Sequence, residues 1–439
     1  MRKLYFPLLV LCPLLILALA VVSVTAAGGQ KSLQRGEDQI IVTGRTLPAA
    51  MGWPIAQVRA YRFAQGQAVP IPFQIDEKLK NGKYALTAGG DRQADDGLFD
   101  DNDELVFMAF DTGDQGAKSA LPKQPSAVVE LTISDPADGG KAWVYLARYE
   151  TAAPPLSTGD YVVYDNTRTF IDTLRYQMGF HQQALLSIGH LSVKPAGGGN
   201  NTDIVDRLKI RFSATTLGGM VKIDKNENEF VSRTLGWIDG PVRVVRATAN
   251  QMMLWKIKTP SAYLYNIYYV NSFEFPTEVN LPFNPAAVMS DIHFRVTSDG
   301  ICGQKGKLFY NSNNLAGMVI DGAMSEAENK LNLDPYKWSA VTGPNNSYAW
   351  INRLVYDAAA TPAVPKLYYR DDRTSLDNPE DDPGQCGEVG YSLINLDKVK
   401  KGKLRLLSIM YNAPQFSLNK VKGYMRILDR PLKVSGQLL

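Results

Sequence analysis

The sequence predicts an all-β fold, built as two antiparallel β-sandwich-like regions with one or two short helices. Three observations predict it. The 36 Gly and 25 Pro of the 439 residues punctuate the chain at short intervals, and runs of Val, Ile, Tyr, Phe and Thr fill the gaps. Several of those runs alternate apolar and polar positions, as in Val128–Ile133, where Val129, Leu131 and Ile133 share one side. Helical periodicity is scarce, and there is no βαβ rhythm or regular repeat, so doubly wound, α/β-barrel and propeller folds are unsupported.

In chain order, the first strands predicted are Gln39–Thr43, Gln57–Phe63, Val69–Ile75, Leu105–Phe110, Ala127–Ile133 and Ala142–Arg148. The turn between the last two is marked by Asp135, Pro136, Asp138, Gly139 and Gly140. The Pro-rich stretch 151–158 reads as a linker. It separates an N-terminal sandwich, residues 28–152, from a larger β-rich region, residues 157–439. In that second region the predicted strands are Arg207–Ala214, Val242–Ala247, Ala262–Val270, His293–Thr297, Lys403–Tyr411 and Gly423–Leu428. A helix is predicted over Asp321–Leu331, with Asp321 as its cap, and Ser347–Ala360 fits a helix or a strand equally.

The first 26 residues read as a secretory signal peptide. Arg2 and Lys3 precede an uncharged apolar stretch from Leu4 to Val24, and small residues close it at Val24-Thr25-Ala26. An uncleaved anchor is the alternative, although Pro7 and Pro13 interrupt the stretch. Leu11 before Cys12 argues against a lipoprotein signal. The expected localisation is therefore exported: periplasmic, cell-surface or extracellular, with no transmembrane span after cleavage. Removing Arg2 and Lys3 from the 47 basic residues leaves 45 against 44 acidic ones. No global field attracts nucleic acid. Cys302 and Cys386, both in Gly-flanked loops, are expected to pair in an oxidising compartment.

The chemically richest segment is 91–104, DRQADDGLFDDNDE. Carboxylates this dense repel one another, and a flexible oxygen-rich loop suits calcium. Asp96, Asp100, Asn102 and Asp103 are the candidate ligands, and Ca2+ is the candidate cofactor; a wet acidic turn is the competing reading. A second acidic stretch, Asp371 to Asp382, is read as a solvated loop. Tyr263, Tyr265 and Tyr268 form a candidate glycan-stacking platform, against the plainer reading of a core strand with Tyr at its rim.

Catalysis has little support. The three His (His181, His190, His293) show no metal-ligand spacing, and there is no GxSxG elbow or Walker loop. Asp206, Asp224, Asp239 and Asp291 lie near strand ends, but no rule selects a pair, so no catalytic residue is assigned.

Four segments carry a resemblance. Residues 70–77 (PIPFQIDE), 96–107 (DGLFDDNDELVF), 206–211 (DRLKIR) and 239–246 (DGPVRVVR) resemble stretches of secreted bacterial β-rich proteins of unknown function. Some of those proteins are associated with polysaccharide handling. The resemblance implies an exported β protein and transfers no catalytic residue.

The leading functional reading is a secreted, periplasmic or cell-surface binding or structural protein without catalytic activity, calcium-stabilised and glycan-directed. A polysaccharide lyase or glycosidase on a β-sandwich is the alternative. An envelope component docking to another protein through a sheet edge is the third reading.

Overall fold

The computed structural model describes residues 28–439 apart from 217, 255–256, 259–260, 282 and 357–361. Residues 1–26, expected to be a signal peptide, lie outside the described residues. The all-β expectation holds. Every strand pair described is antiparallel, and among the described residues the α-helices are Glu326–Asn329 and Leu418–Asp429.

In the N-terminal region a five-stranded sheet runs Lys433–Leu438, Ala127–Ser134, Lys141–Arg148, Val58–Ala64, Gln67–Pro70. It packs on a three-stranded sheet of Gln39–Thr43, Glu104–Met108 and Gln74–Asp76. Val129, Leu131 and Ile133 face Ile40, Val42, Leu105 and Phe107 across the sandwich, as their alternation predicts. The other face of Glu104–Met108 is also covered. Val106 and Met108 pack on Val245, Ala247 and Ile267 of the larger region. That strand therefore reads as continuously apolar because both its faces are buried.

The larger region holds a long antiparallel sheet. Its order is Phe230–Asp239, Arg243–Leu254, Ala262–Tyr269, Ser272–Leu281, Gly402–Pro414, Tyr348–Tyr356, Ser339–Thr342, Lys307–Asn311, Asn314–Ile320, and Ile257–Lys258 pairs with Arg243–Leu254. A five-stranded sheet runs Val221–Lys225, Val205–Thr216, Met289–Gly300, Gln385–Ile394, Val364–Asp372, and a four-stranded one spans Val162 to Val193. Tyr176, Met178, Leu208, Ile210, Tyr268, Phe273 and Trp350 form the core shared by these sheets.

Three details differ from the sequence expectation. Gly423–Leu428 is not a strand but part of the helix Leu418–Asp429, which buries Val421, Tyr424 and Ile427 at three-residue spacing against Ile351, Ile409 and Tyr411. The helix expected over Asp321–Leu331 is a single turn, Glu326–Asn329, capped by Ser325 and Glu328 rather than by Asp321. The chain also returns at its C-terminal end: Lys433–Leu438 pairs with Ala127–Ser134, so by pairing this strand belongs with residues 28–152.

The two regions meet at Arg243, which is fully buried. Its Nε donates to Asp76 Oδ2 at 2.7 Å, its Nη2 to Glu104 Oε2 at 2.5 Å and its Nη1 to the Tyr269 hydroxyl at 3.1 Å. Gln74 Oε1 accepts the backbone N–H groups of Val242 and Arg243 at 3.0 and 2.9 Å. Burial alone would raise the Glu104 carboxyl, but Arg243 and Lys78 outweigh it and hold it below its usual range. Three of the four segments noted in the sequence thus meet at one ion network. Arg243→Met leaves Asp76 buried without its cation and Glu104 with Lys78 alone. Chemical denaturation should show a loss of about 3–5 kcal/mol. A loss below about 1 kcal/mol would mean the N-terminal carboxylates are satisfied without Arg243.

A candidate ligand site beside a strapped charged sheet face

The strand Val205–Thr216 has two unlike faces. Leu208 and Ile210 enter the core, while Arg207, Lys209 and Arg211 point the other way. Register extends the charged face across the sheet. Arg211 pairs with Arg295, Lys209 with Thr297, and Arg207 with Asp299. Glu388, on the next strand, accepts a hydrogen bond from the Thr297 hydroxyl.

Residues 373–384, between the strands Val364–Asp372 and Gln385–Ile394, lie across this face as a strap. Asp377 holds Arg211 Nε at 3.0 Å and also Arg295. Glu380 Oε1 accepts from Lys209 Nζ at 2.9 Å, and Asp381 Oδ1 from Arg207 Nη2 at 2.6 Å. The Asp381 and Asp382 backbone N–H groups donate to Asp206 Oδ1 at 3.0 and 2.5 Å. Asp382 accepts the Cys302 N–H at 2.7 Å, and Cys302 and Cys386 are at disulfide-bonding separation, with Cα atoms 5.1 Å apart. Gly384 closes the strap with φ +109°, and a Cβ there would lie 2.5 Å from the Arg373 carbonyl oxygen, so only glycine fits. The stretch expected to be a solvated acidic loop is therefore held down by cations spaced two residues apart on one strand.

Lys209 is sealed from water among three carboxylates: Asp299 at 2.7 Å, Glu380 at 2.9 Å and Glu388 at 3.8 Å. Burial would lower its pKa, but these acids outweigh burial and raise it. Burial pushes Asp299 up to about 7 and Asp206 up to about 6, and it raises Glu388. Glu380 goes the other way: burial opposes its ionisation, but Lys209 and the N–H groups of Asp377 and Gly384 hold it low. Two acids on the same ammonium are thus shifted in opposite directions, Asp299 up and Glu380 down.

At one rim the strap borders a cavity of about 260 Å³ lined by His181, Gln182, Gln183, Arg207 and Asn228. No apolar side chain lines it. The size is just below the roughly 300–1,000 Å³ of ordinary ligand pockets, which suits a small polar ligand. Arg207 is 6 % exposed and donates to Asn228 Oδ1 at 3.3 Å, but its Nε has no hydrogen-bond partner among the described residues. His181 Nε2 lies 3.0 Å from Asp381 Oδ2 without hydrogen-bond alignment, and burial together with Arg207 lowers the imidazole pKa.

The residues singled out in the sequence lie elsewhere. Asp96 caps the Leu98 N–H at 2.8 Å, and Asp100 accepts weakly from the Asn102 N–H at 3.4 Å. Asn102 Nδ2 donates to the Lys78 and Leu79 carbonyls at 2.8 and 3.0 Å. Asp103 accepts the N–H groups of Lys78 and Asp100 at 2.7 and 2.9 Å, and burial pushes it up to about 6. Among the described residues no group of three or more His, Cys, Asp or Glu side chains is arranged to hold a metal.

The tyrosine platform does not form. Strand alternation puts Tyr268 on the face opposite Tyr263 and Tyr265, fully buried against Phe180 and Phe275. Tyr265 meets Tyr84 edge-on, and Tyr263, half-exposed, lies under Lys83. His181, Gln182, Gln183 and Asn228 had no sequence signal. Arg207 did: DRLKIR alternates charge and apolar residues.

No family model matches the chain, and no curated protein matches it. Among solved structures, an alpha-mannosidase from Enterococcus faecalis V583 aligns at 10 % identity with a TM-score of 0.48, over 93 % of this chain and 45 % of that one. The chain spans less than half the length of that protein, and a likeness of this degree says nothing of substrate or reaction. No helix among the described residues is long and apolar enough to cross a membrane. The chain is thus an antiparallel all-β protein with a strapped ionic face and a polar cavity at its rim.

Asp206 gives this network a pH signature. Its folded value, about 6, is above the ordinary 3.8, so the folded chain holds a proton that the unfolded chain has lost across that window. Its contribution is complete below about pH 4 and declines as pH rises to about 6, by at most about 3 kcal/mol. Asp206→Asn keeps the acceptor for the strap N–H groups. It should flatten the dependence of melting temperature on pH between 4 and 6, and an unchanged slope would assign the titration to another group.

Proposed function

We propose that the chain is an exported binding protein, without catalytic activity of its own, that takes a glycan in the cavity lined by His181, Gln182, Gln183, Arg207 and Asn228. The observation that carries this reading is the lining itself. Amide, imidazole and guanidinium groups surround a space the size of a small polar ligand, and Arg207 Nε, itself sealed from solvent, has no hydrogen-bond partner among the described residues. Planar donors and acceptors of this kind match the paired hydroxyls of a sugar. The signal peptide expected from residues 1–26 and the resemblance to secreted β-rich proteins support export.

Incubation with immobilised polysaccharides tests it. Retention without new reducing ends or unsaturated products is expected. Gln183→Ala, at an exposed position, should weaken retention about 2- to 10-fold with an unchanged melt, as expected for one lost hydrogen bond. Absence of retention across the panel would overturn the reading.

A lyase or glycosidase remains the second reading. Asp206, raised to about 6, and the imidazole of His181 flank the same stretch of strap and are groups suited to proton transfer. Product formation in the same incubation, lost in Asp206→Asn, would establish it in place of the first.

The segment 91–104 supports a separate proposal, calcium stabilisation. Burial raises Glu77 and Asp100, and neighbouring acids, Asp95 and Asp96 among them, raise both further, a repulsion that a hard cation relieves. A melt with excess calcium should rise relative to one with chelator, by about 2.7 kcal/mol at one hundred times the dissociation constant. The rise should be lost in Asp100→Asn. Identical melts would leave the loop as a hydrogen-bonded turn.

A further inference from the structure

We propose that the glycan carries a carboxylate, as a uronic acid does, and that this carboxylate takes the place of Asp381 on Arg207. The inference rests on the binding role given above to the cavity.

The contact between Arg207 and Asp381 is lopsided. The Arg207 side chain is 8 % exposed and the Asp381 side chain 48 %. A buried guanidinium needs an anion beside it, but an anion that is half in water is easily exchanged for another. Asp381 uses one oxygen, Oδ1, on one nitrogen, Nη2, while Arg207 Nε is without a hydrogen-bond partner. The Nε and Nη2 edge of a guanidinium is built to hold both oxygens of one carboxylate in parallel, a stronger arrangement than the single bond in place, and a ligand reaches Nε, now sealed from solvent, only by taking the position of Asp381. Its second oxygen gains little here, because the approach of Asp381 Oδ2 to His181 is not aligned as a hydrogen bond.

The strap can stay down during such an exchange. Asp377 on Arg211 and Arg295, and Glu380 on Lys209, hold it independently of the Asp381 side chain. The Asp381 backbone N–H stays on Asp206 Oδ1. Only one side chain has to turn outward. Charge also favours an acidic ligand. Swapping one carboxylate for another leaves the balance around Arg207 unchanged. A neutral sugar in the same position would leave Arg207 with Glu227, 3.5 Å away, as its only ion-pair partner. Gln182, Gln183 and Asn228 are placed to meet the hydroxyls of the same sugar.

Calorimetric titration of the full chain tests this. The probes are oligomers of galacturonate, glucuronate and mannuronate, each beside its methyl ester, which keeps the skeleton and removes the charge. At least one acid form should bind at least 10-fold more tightly than its ester. Asp381→Asn, which should lower the melting temperature because Arg207 keeps only Glu227 as an ion-pair partner, should tighten binding of that acid several-fold and leave the ester unchanged. Equal binding of acid and ester would overturn the carboxylate while the glycan-binding reading stands. Preference for the acid with no response to Asp381→Asn would place the anion elsewhere and overturn the exchange. No binding of any acid, ester or neutral polysaccharide would overturn both readings.

Discussion

A guanidinium sealed between two β regions has to be neutralised by groups that reach it from both. Arg243 stands on the long sheet of the larger region, while its carboxylates, Asp76 and Glu104, stand on two strands of the N-terminal three-stranded sheet. Removing such a charge from water costs several kcal/mol, and its pairing returns about that much only when the geometry is complete. The network therefore adds little net stability, but it penalises every other way of docking the two regions. Val106 and Met108 could slide over Val245 and Ile267 with small loss; Asp76 and Glu104 cannot move off Arg243 without leaving a bare charge. Apolar contact supplies the adhesion and the ion network supplies the register.

The same constraint operates at Lys209, with a different result. Two of its carboxylates, Asp299 and Glu388, come from its own sheet, but Glu380 comes from the strap. Satisfying one buried ammonium thus fixes a loop of the chain across a sheet face. Burial pushes the Asp299 carboxyl up to about 7, while Lys209 and the N–H groups of Asp377 and Gly384 hold Glu380 below its ordinary value.

The sequence announced the strands because their signal is local: turn residues at the ends and alternation between them. It also carried the helix Leu418–Asp429, but in a form easily misread. Residues 423–428, taken alone, hold Tyr424, Met425, Ile427 and Leu428 and pass for a strand, whereas Val421, Tyr424 and Ile427 together show the helical spacing. The acidic loops were visible as composition, but composition does not say what faces them. Asp377, Glu380 and Asp381 are far in sequence from Arg207, Lys209 and Arg211, and only the sheet brings them together. The tyrosine segment failed for a local reason: a period of two places Tyr263 and Tyr268 on opposite faces. The cavity was invisible because Gln182, Gln183 and Asn228 are ordinary surface residue types until folding sets them around one space.

Exposure along the strap sorts its acids by what each can do. Glu380 is 1 % exposed, Asp377 21 % and Asp381 48 %. A carboxylate at the first position cannot leave without stranding Lys209 in a dry interior. One at the last position is received by water, and its departure is cheap only where another anion takes its place on Arg207. Within five positions of chain the strap thus passes from anchors turned toward the interior, Asp377 and Glu380, to Asp381, which is half in water. On the exchange proposed above, these buried charges are what would keep the strap in place while the Asp381 side chain turned outward.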